Sequence, residues 1–138
     1  MTPQGEEHQQ MPFSSPQSLS EDIAGDVDTN LTVFTGRFAD AGQSVFSKAG
    51  LTLPMEEKLT ISHQVGKNGE ERHLVRIDRT EVDALLVPAT TSVYTVIVRP
   101  PSTALTNAII IKQVNKLVDF LIEGGSNANV TALLNSEV

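Results

Sequence analysis

The 138-residue chain contains no cysteine and no tryptophan, and it has one tyrosine. Without cysteine there can be no disulfide scaffold, thiolate zinc site, iron–sulfur cluster or cysteine nucleophile. Long apolar runs are also missing. The longest are the four-residue stretches 108–111 (AIII) and 84–87 (ALLV), against the roughly 20 residues of a membrane-spanning helix, so no membrane partner is expected. The opening MTPQGEEHQQ has neither the basic region nor the apolar stretch of a signal peptide. A soluble protein, made in a reducing compartment or indifferent to redox conditions, is expected. No G-x-S-x-G, P-loop or G-x-G-x-x-G pattern occurs. The carboxylate pairs Glu56-Glu57 and Glu70-Glu71 fall at strand ends or turns, where solvation is ordinary and a general acid would need burial. Neither enzyme activity nor a cofactor or small-molecule substrate is expected.

What the chain does have is enough apolar content for one core, at 39% hydrophobic and 20% charged residues. Its net charge of −7 is unevenly spread. Residues 1–29 hold six acids and no base, whereas 30–138 hold eleven acids and ten bases. Such a balance argues against indiscriminate nucleic-acid binding but leaves room for a local basic face. Residues 1–28 are rich in Ser, Pro, Gln and acid with no sustained apolar period, so an acidic extension, disordered or loosely docked, is expected there. Residues 29–138 are expected to form the single domain.

Strand signals begin at 31–35 (LTVFT) and return at 43–47 after a turn at 39–42. The strongest pattern is 58–65 (KLTISHQV), which alternates polar and apolar residues, with His63 on the apolar side. Gly66-Lys67-Asn68-Gly69 is a turn in which Asn-Gly can supply positive φ. The chain returns through 72–80, with His73, Val75 and Ile77 on one face and Arg72, Leu74, Arg76 and Asp78 on the other. A further strand at 81–87 broken by Pro88, a polar loop at 89–91 and a strand at 92–99 ended by Pro100-Pro101 are then expected.

Beyond the prolines the period becomes helical. Ile110, Val114, Leu117, Val118 and Leu121 lie on one broad face, with Thr103 or Thr106 as N-cap and Gly124-Gly125 as the stop. Asn127 or Asn129 can cap a short second helix over 130–135. This order reads as α+β, a meander of antiparallel strands followed by two C-terminal helices. The helices carry more apolar surface than one small sheet obviously covers. Either they pack on their own sheet in a monomer, or they pack on a partner's sheet in an obligate dimer.

Two constellations could carry chemistry. His63 and His73 sit on the two arms of the hairpin and could form half a metal site. The ordinary reading is two partly buried side chains filling space, since no third ligand falls at a supporting spacing, and no metal is expected. The second is the opposite sheet face, where alternation gathers Lys58, Thr60, Ser62 and Gln64 from one arm, Arg72, Arg76 and Asp78 from the other, and Tyr94 from the following strand. Cations for phosphates, neutral donors and acceptors for base edges and one stacking ring are the components of single-stranded RNA recognition. An ordinary solvated sheet face would have the same composition.

The run KLTISHQ, turn, RHLVRIDRTEVD, then VYTVIVRPP, LTNAIIIKQVNKLVDFLI and NVTALLNSEV resembles the coat proteins of single-stranded RNA bacteriophages (levivirus-like) over roughly residues 30–138. The resemblance implies an N-terminal β-hairpin, a five-stranded antiparallel sheet and two C-terminal helices. It also implies an interlocked homodimer in which Ile110, Val114, Leu117, Val118 and Leu121 cross the partner's sheet, followed by assembly into an icosahedral shell. The protein would then be a structural component of the virion, assembled in the host bacterial cytoplasm. By position, the resemblance assigns Lys58, Thr60, Ser62, Gln64, Arg72, Arg76, Asp78 and Tyr94 to the face that holds genomic RNA and can repress replicase translation through an RNA hairpin. It places the family's loop between the last two strands at 87–91. Leu74 and Val96 replace residues that are usually polar there, which favours general genome contact over a tight sequence-specific operator. The acidic extension, repelled by RNA, is expected outside the shell or disordered. The competing expectations are a dimeric RNA-binding regulator that does not assemble and a surface or pilus-like subunit that binds no nucleic acid.

Overall fold

The computed structural model describes residues 13–24, 27–40, 42–48, 50–123 and 126–137. Six strands and two helices follow one another: β1 (Gln17–Ala24), β2 (Val27–Asp40), β3 (Gln43–Lys48), β4 (Glu56–Val65), β5 (Glu71–Val82), β6 (Pro88–Arg99), α1 (Asn107–Ile122) and α2 (Ala128–Leu134). The strands form one sheet in chain order, β1 to β6, and each pair from β2 to β6 is antiparallel. Contacts divide the chain into two compact units, one built on Val33–Pro101 and the other combining Leu19–Thr32 with Ser102–Val138.

In the first unit the buried apolar side chains are Phe34, Val45, Phe46, Leu59 and Ile61. Register explains their grouping. Phe34 lies opposite Lys48, Phe46 opposite Leu59 and Ser44 opposite Ile61, so Phe34, Phe46, Leu59 and Ile61 share one sheet face while Val45 points to the other. The β4–β5 hairpin lies where expected, and its register sets Val65 opposite Glu71. Its loop, residues 66–70, is closed by Gly66 N–H donating to the Glu70 carbonyl at 2.8 Å and Gly69 N–H to the Gly66 carbonyl at 3.0 Å. Of the Asn-Gly pair only Gly69 takes positive φ, at 76°, consistent with a longer loop rather than a two-residue turn.

Three expectations about the strands change. The expected antiparallel sheet followed by two helices is present, and the N-terminal hairpin is part of that sheet, which has six strands, because Val27–Asp40 runs as a single 14-residue strand. Disorder was expected over 1–28, yet Gln17–Ala24 is a strand and Val27 opens the next. Local composition opposes order there, and pairing supplies it. The Thr32 hydroxyl, 6% exposed, donates to the Glu21 carboxylate, and a buried hydroxyl without an acceptor would be costly. Residues 1–12 and 25–26 of the expected extension lie outside the described residues. Finally, 81–87 is not a strand and 89–91 is not a loop. β5 ends at Val82, residues 83–87 turn, and β6 starts at Pro88. Proline is tolerated here because β6 is an edge strand and Pro88 is its first residue. The turn is organised by Asp83, whose carboxylate accepts from the Leu85 and Val87 N–H groups at 2.8 and 2.9 Å. Leu86 N–H donates to the Asp83 carbonyl at 3.0 Å, and Leu86 takes φ 62°. The sequence ALLV reads as strand, but one Asx-type carboxylate reverses it.

In the second unit α1 begins as the sequence predicts. Of the two candidate caps, Thr106 caps the helix, accepting from Ile109 N–H at 3.4 Å, and Glu123 in the left-handed region ends it. Asn127 opens α2 two residues earlier than expected, and the Asn129 amide donates to the Phe120 carbonyl at 2.7 Å, tying α2 to the end of α1. No residue of either helix is buried. Of the expected interface residues, Ile110, Val114 and Leu121 are half-buried, and Leu117 and Val118 are exposed. No helix among the described residues is long and apolar enough to cross a membrane.

Candidate functional site

All eight residues expected on the polar sheet face lie on one face of β4, β5 and β6. Opposed residues in an antiparallel ladder share a face, and the register gives four rows across the three strands. They are Lys58–Asp78–Ser92, Thr60–Arg76–Tyr94, Ser62–Leu74–Val96 and Gln64–Arg72–Val98. Rows two residues apart along strands spaced about 4.8 Å make a floor of about 20 by 10 Å. β3 extends it with Gln43, Val45 and Ser47, which lie opposite Ser62, Thr60 and Lys58. Tyr94 is 63% exposed and neighbours Arg76 in its row, so a ring and a guanidinium stand side by side. At the hairpin end Gln64, Val65, Gly66, Glu70 and Arg72 line an open cleft of about 480 Å³.

Each cation of the floor has an acidic neighbour two residues away in the chain, within the strand for Lys58 and Arg76 and in the adjoining loop for Arg72. Lys58 Nζ lies 3.7 Å from Glu56, Arg72 Nε 3.2 Å from Glu70 and Arg76 Nε 2.8 Å from Asp78. Exposed pairs of this kind contribute about 0–1 kcal/mol, so an incoming phosphate can compete for the cation. Asp78 differs from the other two acids. It is 9% exposed, and its other oxygen accepts from the Ser92 hydroxyl at 2.5 Å. That hydrogen bond, with Arg76 and Lys58 nearby, holds its carboxyl below the usual carboxylate range against the opposing effect of burial. Asp78 thus ties β5 to β6 and aims Arg76.

Sequence reasoning missed Ser92 and Thr90. Ser92 shares the parity of Tyr94 and was legible. Thr90, whose hydroxyl meets that of Thr80 at 2.7 Å, was hidden because Pro88 suggested a loop. Leu74 and Val96, read singly as departures, are register partners and form one apolar row beside Tyr94.

On the opposite face His63 and His73 are register partners, with Nδ1 atoms 2.8 Å apart. No group of three or more histidine or acidic side chains that could hold a metal occurs among the described residues.

No family model and no curated protein matches the chain. Solved structures do. The coat protein of bacteriophage EMS014 superposes with a TM-score of 0.70 at 14% identity, covering 91% of this chain and 98% of that one. The virus-like particle of Beihai levi-like virus 21 gives 0.62 at 13% identity, with 91% and 95% covered. An unassembled bacteriophage coat protein dimer, described as RNA-binding, gives 0.53 at 12% identity, with 88% and 95% covered. Nearly the whole of each chain is matched, by a sheet followed by two C-terminal helices, at identities that leave only the architecture in common. The chain has the fold of RNA bacteriophage coat proteins.

Proposed function

We propose that the protein is the structural coat subunit of a single-stranded RNA phage, acting as a dimer that assembles into an icosahedral shell and holds genomic RNA on the β4–β6 floor. The observation that carries this reading is the fold likeness over nearly the full length of coat proteins. The exposed surface supports self-association. Among the described residues, exposed large hydrophobics outnumber buried ones, and away from the floor they include Ile109, Ile111, Leu117, Val118 and Phe120 on α1 and Val93 on the edge strand β6. A monomer exposing these on both a helix and an unpaired edge invites association. In a second copy, α1 supplies Ile110, Val114, Leu117, Val118 and Leu121 as the interface. The 83–87 turn presents Leu85 and Leu86, more than three-quarters exposed, as a contact between dimers.

On the floor, Lys58, Arg72 and Arg76 take phosphates, and Tyr94 stacks a base beside the Leu74–Val96 row. Thr60, Ser62 and Gln64 meet base or sugar edges, while Asp78 positions Arg76 without touching RNA. Six polar or charged side chains around one ring and an apolar row suit genome contact with limited sequence preference. Repression of replicase translation would use the same floor. The location that follows is the virion, with assembly in the host bacterial cytoplasm.

The test is expression of the full chain in bacteria, then size-exclusion chromatography and electron microscopy. Uniform shells that carry host RNA are expected. With one tyrosine and no tryptophan in the chain, the 260-to-280 nm absorbance ratio reports packaged RNA sensitively. A dimer that binds RNA but forms nothing larger would replace the capsid reading with that of a regulator. A stable monomer would overturn both.

A further inference from the structure

On the sheet face opposite the RNA floor, the geometry points to a copper(II)- or nickel(II)-binding clamp formed by His63 and His73 across β4 and β5. The two side chains are direct register partners. Their rings meet edge to face with centroids 5.0 Å apart, and their Nδ1 atoms approach to 2.8 Å. A metal with M–N bonds of about 2.0–2.1 Å separates two nitrogens by about 2.9 Å when they subtend 90° and about 3.3 Å at the tetrahedral angle. The observed spacing is therefore already that of neighbouring positions on a square-planar or tetragonal centre. Such centres are typical of copper(II) and nickel(II) with nitrogen and oxygen ligands. Because the two nitrogens now face each other in a hydrogen bond, binding requires both rings to turn about their Cβ–Cγ bonds.

The surroundings prepare this arrangement. Glu71 Oε2 lies 3.3 Å from His73 Nε2. It stands behind the ring and does not converge on the Nδ1 atoms, which is the place of a carboxylate that orients a metal-bound histidine. In the neutral pair, His73 donates from Nε2 to Glu71. Its Nδ1 is then the acceptor, and His63 Nδ1 donates the single proton shared between the rings. A metal replaces that proton at Nδ1 and His63 takes up a proton from solvent at Nε2, so both rings bind as neutral imidazoles with no net proton released, and water fills the remaining positions. Arg99 faces Glu71 across β5 and β6, so the carboxylate also offsets a nearby cation. His63 is exposed and the His73 side chain is 35% exposed, so the clamp is open to an ion from solution. Once bound, the ion links the last turns of the β4–β5 hairpin.

The probe is copper(II) alone, added to the full chain near neutral pH and followed by titration calorimetry and electron paramagnetic resonance. The expected result is one ion per chain with a tetragonal signal split by two imidazole nitrogens. His63→Gln and His73→Gln should each abolish the two-nitrogen signal, and Glu71→Gln should weaken binding by about tenfold. His8→Gln should leave both signal and stoichiometry unchanged, with circular dichroism confirming the fold of each variant. Absence of stoichiometric binding by the folded wild-type chain would overturn the assignment, as would a two-nitrogen signal that survives in the double His63→Gln, His73→Gln variant.

Discussion

Replacing Lys58 and Arg76 together with alanine gives the sharpest test of the floor, because electrostatics fixes the size of the effect. Each phosphate neutralised on single-stranded RNA contributes about −0.7 to the slope of log affinity against log salt. If both side chains contact phosphate, the double variant has a slope shallower by about 1.4 per chain. Between 50 and 200 mM salt each contact is worth about a 2.6-fold change, so the wild type should lose about sevenfold more affinity than the variant over that range. The structure makes the variant interpretable. Lys58 gives up an exposed pair with Glu56, and Asp78, on losing the nearby charges of Arg76 and Lys58, keeps its hydrogen bond from Ser92. The stability cost should be about 1 kcal/mol, measurable by denaturation and small enough to leave the dimer intact. The assay is fluorescence anisotropy of a short single-stranded RNA oligonucleotide across a salt series, with dimer integrity followed by light scattering. An unchanged slope would show that RNA binds elsewhere, whatever the change in affinity at one salt concentration.

Three further outcomes follow from the same geometry. Leu117→Asp places a charge on the proposed intersubunit face, and a carboxylate forced out of water costs several kcal/mol. Light scattering should show no dimer, and normal assembly would refute the interlocked arrangement. Asp78→Asn should cost about 1.5 kcal/mol at neutral pH by weakening a charge-assisted hydrogen bond. Because the folded-state carboxyl is held below its unfolded value, that stability is present at neutral pH and lost as the pH falls through the folded value. Denaturation curves of wild type and Asp78→Asn should therefore converge in acid, and a gap that persists at about pH 2 would contradict the Ser92–Asp78–Arg76 account. Asp83→Ala removes an acceptor of two backbone N–H groups at the 83–87 turn and should cost about 1–2 kcal/mol. It should also raise amide exchange at Leu85 and Val87, and unchanged exchange would show that the turn holds without the carboxylate.

The parts legible in the sequence were those that alternation and helical period encode. Lys58, Thr60, Ser62 and Gln64 had to share a face because side chains in a strand point alternately to its two sides, and the same rule placed Arg72, Arg76 and Asp78 together. Thr106 and the 3.6-residue period announced α1. These are local properties, fixed within a few residues of backbone. Which strand lies beside which, and in what register, depends on hydrogen bonds between distant segments, and only the tertiary structure decided it. Register set Tyr94 beside Arg76, brought the Ser92 hydroxyl to Asp78, and joined Leu74 to Val96. It brought the Nδ1 atoms of His63 and His73 to 2.8 Å, whereas the sequence showed only two histidines on matching arms. Pairing with the following strand β2 made a strand of Gln17–Ala24 against its composition. The Asp83 carboxylate, by capturing two N–H groups of the following residues, moved the last turn ahead of Pro88.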